Sequence, residues 1–389
     1  MRRTLLATAA TLAALAPLAA PGRAFAAPDD PSATASPPAG ATGPAPLVPG
    51  SVIASLTADA PIAAGGGWLL WSVPAPGGWA LEGSHAGVTR PLAAAPRPQP
   101  FDLSVGTSAA GAPVVTFSRC AKTPLPASFP LGLIAPNTGA GCRLRVLDLQ
   151  SGRESAPAVP HPAGTSDTTP AMWRGRVAFA RLDPAHHGQV QQVLLWTPGH
   201  RRLASLPHGA LPPPCAGRRC PAETRAGLVE GLAYDGRLVT FLWEPVASRV
   251  IGHAGWEVRA DNVRTGASRL LGAGFAGEVC TGGADLSAPA PPVLDGLTVR
   301  FASLQSTCYV FRSVLSQVNT AARDNGSFGI LDGVVLGLAE DGATLYALAA
   351  PRPKDETNPT CTSSAPCQIV EIASPPLSPE PHRPTPPFF

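Results

Sequence analysis

Lysine is almost missing from this chain: Lys122 and Lys354 are the only two. Charged residues of all kinds make up 14% of the sequence. The formal balance of +3 rests on the extreme N-terminus, since removing Arg2, Arg3 and Arg23 from 29 basic residues leaves 26 against 26 acidic ones. A chain so balanced carries no large electrostatic footprint, which excludes nucleic acid as a partner class. Beyond the N-terminus no apolar run approaches the ~20 residues that a membrane span needs, so no transmembrane segment is expected once the leader is cut. No stretch keeps a helical period over eleven residues. Residues 311–322 come nearest, and they read better as a strand. Catalytic signatures are missing too: there is no G-x-S-x-G, no H-E-x-x-H, no phosphate-binding P-loop and no Asp box. One G-x-G-x-x-G occurs at residues 272–277, but it follows a strand and opens no helix. The amide cradle and helix dipole that would hold a pyrophosphate are therefore not expected there.

What the chain does have begins with a leader. Residues 1–27 hold Arg2 and Arg3, an apolar run from Leu5 to Ala20, and Ala24-Phe25-Ala26 as a small-x-small cleavage site. They read as a signal peptide cut near Ala26 or Ala27, and they place the protein outside the cytoplasm: secreted, periplasmic or in the cell envelope. No cysteine precedes Cys120, which argues against a lipid-anchored N-terminus. Residues 28–50 are Pro, Ala, Ser and Thr with almost no bulky apolar side chain, and they read as a disordered linker. Residues 374–389 read as a proline-rich disordered tail. The folded part is expected at 51–373, too long for one core unless the core is a ring of repeats.

Eight cysteines fall as sequence neighbours: Cys120 with Cys142, Cys215 with Cys220, Cys280 with Cys308, and Cys361 with Cys367. An even count in an exported chain argues for disulfides, and local pairing is expected because each pair brackets one candidate loop. Zinc is the alternative, but the Cys-x4-Cys and Cys-x5-Cys runs lack the tight paired spacing of a structural zinc site.

The strand-like segments are short, β-branched or aromatic, and bounded by turn residues, as in WLLWSV at residues 68–73 and VLLW at 193–196. A turn glycine followed by an apolar strand recurs at Gly66, Gly111, Gly175, Gly236, Gly296 and Gly342, at spacings of 45, 64, 61, 60 and 46 residues. Each glycine follows a short strand and precedes a second, with a loop, a third strand, a turn and a fourth strand beyond. Four antiparallel strands repeated six times predict an all-β, six-bladed propeller. A two-domain β-sandwich is the rival, and it leaves the recurrence unexplained. Trp173-Arg174-Gly175-Arg176-Val177-Ala178-Phe179 resembles the WD40-like, TolB-type propeller repeat. Tyr234-Asp235-Gly236-Arg237-Leu238 and Leu294-Asp295-Gly296 keep its Asp-Gly, without the Ser-Pro pair of the consensus. The resemblance implies the same ring. The last unit is short of an outer strand, and residues 51–57 (SVIASLT) are expected to supply it and to protect its edge.

This strand order puts all eight cysteines on one face, opposite the turn glycines. The same face should carry the long insertions 119–143, 206–228, 244–255 and 351–368. Loops stapled to a rigid scaffold are where binding sits. The expected function is a non-catalytic, monomeric propeller that presents these loops to a protein, a peptide or an envelope glycan, with Arg218 and Arg219 as candidate loop contacts. The alternative is a propeller hydrolase or lactonase with a metal, calcium being the cation considered, held by Asp102, Asp167, Glu230 and Asp285 near the starts of the inner strands. No other cofactor is expected.

Overall fold

The computed structural model describes residues 49–121, 139–183, 191–206, 227–245, 254–276, 290–307, 310–321, 325–351 and 361–373. Every regular element in them is a strand. The first, β1 (Val52–Leu56), stands apart from the order of the rest. It is followed by β2 (Ile62–Gly65), β3 (Trp68–Ala75), β4 (Gly78–His85) and β5 (Val88–Pro91) in one sheet. The next sheets are β6 (Ser104–Thr107), β7 (Pro113–Arg119), β8 (Arg143–Asp148) and β9 (Glu154–Ser155), then β10 (Ser166–Trp173), β11 (Arg176–Leu182), β12 (Gln191–Trp196) and β13 (Ala204–Ser205). They are followed by β14 (Gly227–Tyr234), β15 (Leu238–Pro245), β16 (Ala254–Asn262) and β17 (Ser268–Ala276), and by β18 (Ala290–Asp295), β19 (Thr298–Thr307), β20 (Val310–Asn319) and β21 (Asn325–Asp332). The last sheet holds β22 (Val334–Asp341), β23 (Thr344–Ala350) and β24 (Cys367–Ala373), and its fourth strand is β1. All pairings within the six sheets are antiparallel, and the innermost strands β2, β6, β10, β14, β18 and β22 neighbour one another in a closed cycle. The chain is a six-bladed β-propeller.

β1 pairs β24 from Val52 opposite Val370 to Leu56 opposite Cys367. The first residues of the folded part thus close the ring through the last blade, as the unpaired SVIASLT segment predicted. Residues 311–319 lie in β20, a strand. The GxG of residues 272–274 lies within β17, where a Cβ on Gly272 would meet the Phe301 ring at 2.7 Å. That glycine is there for blade packing, not for a phosphate.

The core is divided into six wedges, one between each pair of adjacent blades. Alternation on the second strands explains the division. Trp68 and Leu70 of β3 pack with Phe101, Val115 and Phe117 of the next blade, while Leu69 and Trp71 pack with Val334 and Leu348 of the blade before. On β11, Val177 and Phe179 face one neighbour and Ala178 and Ala180 the other. A strand buried on both faces reads as a continuous apolar run, which is why the segment after each turn glycine stands out in the sequence. All six turn glycines have positive φ, from 56° at Gly296 to 93° at Gly236, a conformation that glycine adopts at little cost.

Buried polar side chains bind blade to blade. The backbone N–H of Phe101 donates to Ser72 Oγ at 2.8 Å, that of Val229 to Gln191 Oε1 at 2.8 Å, and that of Val335 to Ser313 Oγ at 2.8 Å. In each case a side chain of one blade satisfies an amide at or just before the inner strand of the next, an orphan that burial would otherwise make costly.

Candidate functional site

In this strand order the turns after the first and third strands share one face, and the connections after the second and fourth strands share the other. Cys120 and Cys142 lie between β7 and β8, while Cys361 lies between β23 and β24 and Cys367 opens β24. Both pairs are bonded, and each closes a second-to-third-strand connection, opposite the turn glycines. Each is also tied to a neighbouring element. The Asp167 N–H donates to the Cys142 carbonyl at 3.0 Å, and Ser166 Oγ both donates to the Gly139 carbonyl at 2.8 Å and accepts from Cys142 N–H at 3.3 Å. The base of the β7–β8 loop is thereby sewn to β10 of the next blade. Cys361 N–H donates to Asp59 Oδ1 at 2.6 Å, which sews the other loop to the connection between β1 and β2. Burial pushes the Asp59 carboxyl up, and the Cys361 amide offsets that only in part. Among the described residues, Asp59, Cys361 and Cys367 are the one set of three potential ligands whose donor atoms lie within 4.8 Å of one another. The two sulfurs are spent in a disulfide, so the set offers a metal one carboxylate. Cys215, Cys220, Cys280, Cys308, Arg218 and Arg219 lie outside the described residues.

Of the four inner-strand carboxylates, Asp102 and Asp167 are each taken up by an arginine. Asp102, 4% exposed, accepts from Arg97 Nη1 at 2.7 Å and Ser118 N–H at 2.8 Å through Oδ1, and from Thr169 N–H at 2.9 Å through Oδ2. The last bond crosses to β10. Arg97 also donates to the Ser118 carbonyl, and its guanidinium lies 5.3 Å over the Phe101 ring. Two backbone hydrogen bonds with Trp79 place Arg97 there, in an approach that Gly78 permits because a Cβ would meet the Arg97 carbonyl oxygen at 2.2 Å. Asp167 forms a two-pronged pair with Arg181, Nε to Oδ1 at 2.6 Å and Nη2 to Oδ2 at 2.7 Å. His161 Nδ1 lies 2.9 Å from Oδ2, and Arg181 donates further to the Pro160 carbonyl at 2.7 Å.

Arg181 faces Asp167 across the β10–β11 ladder. The Asp167 carboxylate therefore lies over its own blade. Glu230 is half-buried on β14, beside a bulge at Gly231. Asp285 lies outside the described residues. Asp102, Asp167 and Glu230 do not form a metal-sized cluster with one another among the described residues. The arrangement can hold the ring rigid beneath the loop face. Asp167 also orients an imidazole through Nδ1, but its charge is already matched by Arg181, and among the described residues no hydroxyl is hydrogen-bonded to the other ring nitrogen of His161.

Arg97, Arg181 and His161 were not foreseen as partners of these acids. Arg181 left a signal: it is a charged residue directly after the apolar run Val177–Ala180 of a second strand.

No family model matches the chain, and no curated protein matches it in sequence. Solved structures with a similar fold include TolB from Acinetobacter baumannii, at 12% identity and a TM-score of 0.39, covering 70% of this chain and 55% of that one. A puromycin-hydrolyzing peptidase from Mycobacterium tuberculosis is 15% identical, with a TM-score of 0.43 and coverage of 85% and 54%. The RRP9 WD40 repeats are 9% identical, with a TM-score of 0.41 and coverage of 85% and 99%. The chain spans about half the length of the first two. These likenesses are of fold alone.

Proposed function

We propose that this is an exported, non-catalytic propeller that binds a protein, a peptide or an envelope glycan through the disulfide-stapled loops of one face. The observation that carries the reading is the placement of both described disulfides. Each closes a second-to-third-strand loop on the same face, and each is hydrogen-bonded down onto a neighbouring element. Stapling at the base fixes where a loop leaves the ring. That is the arrangement of a binding face on a rigid scaffold. Disulfides also suit the oxidising compartment to which a leader at residues 1–27 would send the chain.

The carboxylates that a metal-dependent hydrolase would need offer less support to that alternative. Asp102 and Asp167 are each held by an arginine and by backbone amides or an imidazole, so a cation would have to displace a buried guanidinium to reach either. Two measurements test the proposal. Peptide mapping without reduction should find Cys215 bonded to Cys220 and Cys280 to Cys308, and a long-range bridge such as Cys120–Cys361 would overturn the local stapling. Calcium titrated into the melting assay should leave Tm unchanged. A rise in Tm that disappears in Asp167→Ala would restore the metal-dependent reading, because a ligand that binds only the folded state stabilises it.

A further inference from the structure

The opposite face, on which the turn glycines lie, is not neutral. In the third and fourth blades its turns carry Arg174, Arg176, Arg201, Arg202, Arg237 and Arg264. All but Arg176 are exposed, and none of the six forms an ion pair among the described residues. The surface is continuous. Gly236 packs so closely on Trp173 that a Cβ would meet its ring at 2.3 Å, and Arg237 O accepts from Val263 N–H at 2.9 Å in the turn that bears Arg264. Arg176 Nε donates to Thr197 Oγ1 at 3.3 Å in the turn that bears Arg201 and Arg202. Asp235 is the one acid in these four turns, and its Oδ1 is engaged by the N–H groups of Arg237 and Leu238. In a chain whose charges otherwise balance, this is a local excess of one sign.

Two of the guanidiniums are laid on aromatic rings. Arg174 lies 5.0 Å over Trp173 and Arg176 lies 5.8 Å over Tyr234, and the two rings meet edge to face. Stacking leaves the edge of a guanidinium to hydrogen-bond in its own plane: Arg176 gives Nε to Thr197 and keeps its terminal nitrogens for a carboxylate. Arg174 is also a poor local choice. Its φ of 46°, with 77° at Gly175, belongs to a tight turn whose first position favours Asn, Asp or Gly. The residue before the turn glycine is Asp235, Asp295 or Asp341 in the following three blades. The backbone is held in this shape from the second blade, by Thr107 Oγ1 accepting from Arg174 N–H at 2.9 Å and the Thr107 carbonyl accepting from Gly175 N–H at 3.0 Å. A long side chain kept at a strained, exposed position, on a platform of aromatic rings, points to use at a surface.

We propose that the turn face of the third and fourth blades is a second docking surface, and that its occupant is an acidic peptide segment of a partner protein. The arginines are spread over four separate turns, which favours an extended polypeptide whose carboxylates meet separate forks, with Trp173 and Tyr234 beneath Arg174 and Arg176 holding two of those forks in place. A bare phosphate polymer would use the charge alone. This surface is independent of the loop face and fails or stands separately from it.

The test is fluorescence anisotropy of a labelled peptide of alternating glutamate and alanine, titrated with the full chain. Saturable binding is expected, weakening about tenfold from low to physiological salt because exposed charges are screened over a Debye length. Arg174→Gln with Arg237→Gln should weaken it at least about tenfold with an unchanged Tm. Arg174→Asn separates the two roles of that residue, since it should weaken peptide binding while raising Tm. Unchanged binding in the double variant would overturn the proposal. So would capture of inorganic polyphosphate with no capture of the peptide, which assigns the face to phosphate polymers. Loss of peptide binding in Arg218→Gln/Arg219→Gln instead would move the site to the loop face and equally overturn it.

Discussion

Replacing Asp102 by alanine should be among the most damaging single changes in the ring. The carboxylate holds three buried donors: Arg97 Nη1 at 2.7 Å, Ser118 N–H at 2.8 Å and Thr169 N–H at 2.9 Å. Arg97 is 3% exposed, so without its partner it is a charge buried without compensation. Breaking such a pair on one side costs about 3–5 kcal/mol, and two orphaned amides add to that. Unfolding entropy of ~2.1 cal/mol/K per residue over the roughly 250 residues described gives roughly 0.5 kcal/mol per degree, so Tm should fall by about 6–10 °C or more. The companion variants decide the cause. Asp102→Asn keeps an acceptor for the amides and should lose less. Arg97→Ala leaves the acid two amide donors and should also lose less. The double variant Arg97→Ala/Asp102→Ala should be less destabilised than the sum of the singles, by about 1–3 kcal/mol of coupling. The assay is scanning calorimetry of the protein at neutral pH. A fall of under 2 °C in Asp102→Ala, or strict additivity in the double variant, would show that the pair is not an energetic clasp between the second and third blades.

Three further outcomes follow from other parts of the ring. Asp261 is fully buried on β16, and burial pushes its carboxyl up to about 6. Ser268, opposite on β17, and the charge of Arg259 offset that only in part. Below about pH 4 this acid is neutral folded and unfolded, and it costs nothing. Between about pH 4 and 6 the unfolded chain ionises first, so stability falls by up to roughly 3 kcal/mol and stays lower above that range. Asp261→Asn should flatten that part of the Tm-against-pH profile and raise Tm at pH 7, and an unchanged slope would refute the assignment. Gly106→Ala should lower Tm by several degrees, because a Cβ there would lie 1.9 Å from the Met172 carbonyl oxygen of the adjoining inner strand. By contrast, Gly111→Ala, with φ at 83° and nothing near its Cβ, should cost only about 1–2 kcal/mol of left-handed strain. A chain starting at Ala60 lacks β1 and leaves β24 with an open edge. It should melt lower and self-associate by size-exclusion chromatography; an unchanged monomer with unchanged Tm would show that closure adds nothing.

The architecture was legible because it rests on features that sequence carries directly. Second strands are buried on both faces, so LLW, VVTF and VAFA stand out, and the turn glycines mark them at a readable period. The closing strand was found as an apolar segment without a local partner. The Asp167–Arg181 pair was not legible, and the reason is a bulge. Counting back from the Gly175 turn pairs Trp173 with Arg176, Met172 with Val177 and Ala171 with Ala178. An unbroken ladder would then set Asp167 against Leu182. Instead the register shifts between Thr168 and Ala171, where Thr169 takes a φ of 46° before Pro170, and Asp167 comes to face Arg181. One displaced residue changes which side chain an acid meets. Nothing local announces it: a threonine before proline normally stays extended. What holds Thr169 is distant in sequence, the Asp102 carboxylate at its amide and Thr116 Oγ1 donating to the Pro170 carbonyl at 2.9 Å.

That dependence bears on where function sits. The acids that composition offered as ligands lie at the loop-face ends of the inner strands, where a binding site was expected, and two of them are consumed in fixing the ring. Asp102 holds a strained bulge of the next blade, and Asp167 locks the first two strands of its own. A carboxylate bonded to an arginine and to backbone amides cannot rearrange for a ligand without exposing a buried guanidinium, so ligand affinity would be opposed by several kcal/mol at each site. The rigid ring is thereby separated from the surfaces free to bind. On one face these are loops stapled at their bases by disulfides. On the other they are turns whose arginines no acid of the described ring has claimed.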